Sequence, residues 1–487
     1  MRVYSCLAPM LLVLTLAASA QAATRTWLGA ANSAWNNGAN WSGGAAPAAT
    51  DDVVIDGNGS YAPVLDLSIG ATNINSLSLG ATAGSTLTIS NGDFSAKRLI
   101  VAGNCAIGPN GTLTHASNTT SEAHRLNVEI GGALLVQASG KIDVDARGYE
   151  RGDGPGSNNN SSDDSPGGGY GGRGSWGYQG VQIGETYGSV TNPVSIGSGG
   201  GARGASGNGG GAVKLTVTGA LTNNGVISAR GQTIANDWSA GGSGGAINIV
   251  AHSMAGSGAF DASGGSDTNA NGGAGGGGGR IAVALTNGAS FGGATFAAYG
   301  GAGSGSYATS HGAAGTVYLK GAADTNGQLI VNNNGQSIPS PSIVTTYSHD
   351  ETVAFDKVTI TNRARYHLGT NAVLDVSSGG QIVGDTNSTL LLYEGQVNLP
   401  AAFTLKELNF SKGGMDVATL DTSLTIDSGG KLTQEDNTTT ERHRLAMTIS
   451  GDLVVLAGGR IDVAGLGHDK ANGPGSQPGD ESCGGSY

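Results

Sequence analysis

The sequence is poor in the residues that build a conventional core. Phe, Trp and Tyr together make up 5% of 487 residues, and charged residues only 12%. So few aromatics exclude a core built on large rings, and any fold has to close-pack small side chains. Low charge with 38% apolar residues excludes a highly charged disordered chain. Cysteine is scarcer still, with Cys6, Cys105 and Cys483 in the whole chain, too few for a disulfide framework. No stretch after residue 22 approaches the ~18 consecutive apolar residues of a membrane-spanning helix. No apolar pattern keeps a helical period beyond a turn or two.

What the chain has in excess is glycine, 88 residues, and an apolar leader. The opening "MRVYSCLAPMLLVLTLAASAQAA" places Arg2 before an apolar stretch at 7–17, then small residues at Ala18, Ala20 and Ala22. That order is a secretory signal, assigned to residues 1–22, and it predicts export of the mature chain. Cys6 precedes the apolar stretch, the wrong place for a lipoprotein box. Cys105 is expected as a small buried residue, and the sequence does not decide whether it pairs with Cys483. A formal net charge of −12 argues against nucleic acid, whose phosphates would be repelled.

Internal similarity organises the rest. Alternating apolar triplets follow glycine clusters in "GGGAVKL", "GGAINI", "GGRIAV" and "AGTVYL", and their first apolar residues, Val213, Ile247, Ile281 and Val317, step by 34, 34 and 36 residues. A second short strand recurs inside each step, in "GVISARG", "GAFDASGG" and "GATFAAYGG". Apolar residues alternate with polar ones at period two, as half-buried strands require. Above this lies a longer match: residues 118–157 align without a gap to 437–476, at a constant offset of 319. A two-strand unit cannot bury its own apolar face, so like neighbours are expected to stack in parallel. Ile281 and Val283 are then expected to point inward beside Ile247 and Ile249, with the glycine runs as loops between strands. The second copy stops where the first enters its glycine-rich region, and solenoid ends need a cap, so the chain reads as a piece of a longer protein.

The N-terminal stretch "TWLGAANSAWNNGANWSGGAAPAATDDVVIDG", with Trp27, Trp35 and Trp41, resembles the start of bacterial secreted surface proteins of the autotransporter passenger and haemagglutinin-like adhesin type. "STLTI", "GGKLT" and "GGSGGAINIVA" are similar to their strand repeats. The resemblance implies an all-β fold, a right-handed parallel β-helix (β-solenoid) with glycine-rich loops. The expected organisation is a signal peptide at 1–22, a tryptophan-rich cap and first coils at 23–82, a first solenoid unit at 83–338 and a truncated second unit at 339–487.

Chemistry-bearing residues have to be weighed against structural roles. The run "GGAGGGGG" precedes a strand, whereas a dinucleotide fingerprint follows one and opens a helix. "GKI" and "GKL" lack the Ser or Thr of a phosphate loop, so no nucleotide is expected. In "KIDVDARGYERGDG", Asp143 and Asp145 share one strand face with Lys141 and Arg147. They are the best candidates for a polysaccharide lyase or hydrolase, although the aligned copy has Ala464 in place of Asp145 and a salt-bridge ladder on the coil face is the favoured account. The Gly-His-Gly motif of polygalacturonase-type enzymes is absent. His124 and His443 recur at the same offset, which favours a structural contact. Asp153, Asp163 and Asp164 lie among flexible oxygen donors that suit calcium, or else form a solvated polar loop. Trp27, Trp35 and Trp41 could stack on sugar rings, or staple the first coil. Together these features point to an exported structural or adhesion scaffold facing polysaccharide or a host or matrix surface. A carbohydrate-active enzyme is the alternative and a glycan-binding module a further one. No cofactor is expected, calcium excepted.

Overall fold

The structure is a computed structural model. It describes residues 22–157, 165–176, 184–201, 205–269, 272–304 and 310–338, followed by shorter stretches up to 475. Asp163, Asp164, His443, Cys483 and the leader up to residue 21 lie outside the described residues.

The described chain is nearly all β, with parallel sheets. Two short 3-10 turns, Gly38–Asn40 and Ser42–Gly44, are its only helical elements, and no described helix is long and apolar enough to cross a membrane. The strands Ala212–Asn223, Ala246–Ala255, Arg280–Leu285 and Thr316–Lys320 lie side by side in the largest sheet. Val213 sits opposite Ile247, Ile247 opposite Ile281 and Ile281 opposite Val317; Leu215, Ile249, Val283 and Leu319 form the next row. All eight are buried, as the alternation in sequence predicts.

A second sheet runs through Lys141–Asp143, Val226–Ser228, Ala259–Asp261 and Thr295–Ala297. Its inward row is Ile142, Ile227, Phe260 and Phe296, and the two sheets share one apolar core. Burying each such aliphatic side chain stabilises by about 1.5–3 kcal/mol, and equivalent positions stack like on like. Cys105 belongs to this core, and its burial pushes the thiol up to about 12.

The glycine runs are not the loops expected from sequence. Gly241 and Gly244 donate to Ala274 and Gly277 of one neighbouring segment, while Gly242 and Gly245 donate to Gln232 and Ala229 of another, and Ser243 donates to Ser198 of a third. Likewise Gly275 and Gly278 donate to Ser310 and Ala313, Gly276 and Gly279 to Gly265 and Ala262, and Gly277 to Gly168. Donor direction thus repeats every three residues, the period of an extended polyproline-II helix. Each run is bonded on three sides to other runs, and side chains would not fit. A Cβ on Gly244 would lie 1.8 Å from the Ala262 carbonyl oxygen, and one on Gly277 1.9 Å from that of Gly172. Absence of side chains is therefore what lets the backbones approach and satisfy one another.

Parts of the stretches 165–176 and 184–201 join this array, and other parts fold over the outer face of the large sheet. Tyr170 and Ile196 pack on Ala212 and Ala246, and Asn248 Nδ2 donates to Asn192 Oδ1 at 2.7 Å. The fully buried Arg280 donates from Nε to the Tyr187 carbonyl at 3.0 Å and lies over the Tyr170 ring.

Candidate functional site

The strand ends of the second sheet bring the carboxylates singled out in sequence to one wall. Ile142 and Val144 turn inward and are buried, which leaves Asp143 and Asp145 half-buried on the outside. In the parallel register Asp143 lies opposite Ser228, and Ser228 opposite Asp261. Asp143 Oδ1 accepts the Asp145 backbone N–H at 2.9 Å, and Asp261 Oδ1 accepts that of Ser263 at 2.9 Å. Each aspartate thus closes its own strand end with a local turn.

The guanidinium beside them is not the expected one. Arg147 reaches the other way, to Ser117 Oγ at 2.9 Å. Arg230 takes its place, donating from Nε and from its backbone N–H to the two oxygens of Asp145, each at 2.7 Å. Its Nε also lies 4.0 Å from Asp261. Burial, and next the charge of Asp145, push the Asp143 carboxyl above the usual range. One charge-assisted pair thus spans neighbouring strands, and Asp145 has both oxygens engaged.

The other candidates are placed as follows. Asp153 is half-buried; its backbone N–H donates to the Glu150 carbonyl and its carbonyl accepts from Gly199. Among the described residues no group of three or more His, Cys, Asp or Glu side chains is positioned to hold a metal. Trp27, Trp35 and Trp41 are 4%, 2% and 1% exposed. Trp41 meets the other two edge-on, at 4.9 and 4.8 Å. Trp27 Nε1 donates to the Asn58 and Tyr61 carbonyls, and Trp41 Nε1 to that of Trp35. Of stapling and sugar stacking, the two roles weighed for them, burial fits the staple: no ring face is open, because all three rings belong to the apolar core. His124 accepts the Asn91 backbone N–H at Nδ1.

No family model matches the chain, and no curated protein or solved structure is found similar to it. The reading of function therefore rests on residues and geometry.

Sequence reasoning missed Arg230, which stands 85 residues from Asp145. The signal was present: placing "VISAR" beside "KIDVD" in the parallel register sets Arg230 against Asp145. Only the strand pairing tells which residue of a distant segment becomes that neighbour.

Proposed function

We propose that the chain is an exported right-handed parallel β-helix that serves as a structural or adhesion scaffold at a cell surface. The observation that carries this reading is the bonding of Asp145. Both its oxygens accept from Arg230 of the neighbouring strand, so one carboxylate of the best pair in the sequence works as a cross-strand tie, while Asp143 closes a local turn. A general base has to be aimed at substrate, and this carboxylate is aimed at the neighbouring strand. In-register apolar rows at steps of 34, 34 and 36 residues support a stacked, elongated body. The leader "MRVYSCLAPMLLVLTLAASAQAA" supports export.

The test is direct. The mature protein is incubated with acidic and neutral polysaccharides plus calcium, and reducing ends and unsaturated products are measured. The scaffold reading expects none. Products that vanish in Asp145→Asn would replace it with a carbohydrate-active enzyme. Small-angle scattering is expected to give an elongated particle, and a compact globule contradicts the β-helix.

A further inference from the structure

The chain forms an open cleft of about 600 Å³, walled by Glu150 and Arg151, by Ala205, Ser206 and Asn208, and by Gln232 to Asn236. Its polar groups are set in a particular way. Asn208 Oδ1 accepts the Arg151 backbone N–H at 3.2 Å, and Gln232 Oε1 accepts that of Asn208 at 3.0 Å. Because each amide oxygen is held by the backbone, each NH2 group is fixed in the opposite direction. Neither NH2 group has a hydrogen-bond partner among the described residues, and neither has the Glu150 carboxylate. Thr233 Oγ1 accepts from the Ser266 backbone, which leaves its own proton to donate.

The cleft therefore offers preoriented donors next to an unengaged acceptor. Sugar hydroxyls both donate and accept, and this combination matches them better than it matches an anion. Among the described residues one acidic and one basic side chain line the cleft, and the chain's net charge of −12 repels polyanions. The openness of the cleft suits a strand running through it. Close by, Trp238 adopts φ +56°, a left-handed conformation that bulky residues rarely accept. It sits between Asn236 of the wall and Ser239, whose Oγ accepts the Ala205 backbone N–H at 3.2 Å. One strained residue thus stands next to the cleft wall.

We propose that this cleft binds one strand of a neutral, hydroxyl-rich polysaccharide. The inference rests on the surface-scaffold reading and gives it a ligand class. Affinity electrophoresis of the mature protein in gels containing dextran, galactomannan or mixed-linkage β-glucan tests it, with polygalacturonate as the charged comparison. At least one neutral gel is expected to retard the protein. Gln232→Glu keeps the acceptor oxygen and removes the NH2 donor, and Glu150→Gln removes the charged acceptor. Each is expected to weaken retardation about tenfold, the effect of one ligand hydrogen bond. Asp145→Asn, outside the cleft, is expected to leave it unchanged. Retardation by polygalacturonate alone, by none of the gels, or undiminished in both cleft variants overturns the proposal. Those outcomes leave the scaffold reading standing, whereas release of sugar products overturns that reading and not the cleft.

Discussion

At the scale of single residues, His115 shows how a buried polar group fixes its own charge state. Nδ1 faces the Ala116 carbonyl at 2.7 Å and Nε2 faces the Ala212 backbone N–H at 3.2 Å. The first contact needs a proton on Nδ1 and the second needs none on Nε2, so the ring is neutral. Burial drives its pKa down to about 3, helped by the nearby charge of Arg147. The folded state resists a proton that the unfolded chain accepts near pH 6.5. Stability is therefore full above that range and falls as pH drops below it. The loss from this residue between pH 7 and pH 5 is about 2 kcal/mol. Asp143 and Asp267 act in the opposite sense, since burial raises both carboxyls. Urea unfolding of wild type and His115→Gln isolates the histidine: the gap between them is expected to narrow from pH 7 to pH 5, and a constant gap contradicts the assignment. None of this was legible in the sequence, where His115 is one of eight histidines without ligand spacing. The outward parity of Asp143 and Asp145 was legible, because alternation alone decides it.

Among elements, the strands were readable and the glycine runs were not, for one reason. Periodicity is carried by side chains, and a run of glycines has none to display. Its three-residue period exists only as a direction of backbone hydrogen bonds. Steric cost exposes this design. A Cβ on Gly277 would meet the Gly172 carbonyl oxygen at 1.9 Å, against backbone that cannot yield, whereas one on Gly84 meets nothing within 4 Å. Gly277→Ala is expected to cost about 3 kcal/mol or more, beyond ordinary overpacking. Gly84→Ala is expected to be neutral or slightly stabilising, since it restricts the unfolded chain. Thermal unfolding by circular dichroism compares the two; equal behaviour would mean that the runs are loops after all.

Over the whole molecule, two similar stretches of sequence meet opposite surroundings. Leu134, Val136 and Ile142 are buried because Ala212–Asn223 and Val226–Ser228 pair along their strands. At the offset of 319, Leu453, Val455 and Ile461 are 46%, 45% and 47% exposed, and among the described residues their strands pair on one side only. The sequence showed the repeat, but burial belongs to neighbours and not to the repeated residues themselves. Energies should follow the neighbours. Ile142→Ala is expected to cost about 2–5 kcal/mol through lost burial and a cavity, whereas Ile461→Ala should stay within about 0.5 kcal/mol. Because stacked arrays open locally rather than all at once, hydrogen exchange by mass spectrometry is the suitable measurement. Faster exchange in the strands flanking Ile142, with no change around Ile461, is the expected pattern. An equal response at both sites would show that the second copy is covered in solution as the first is.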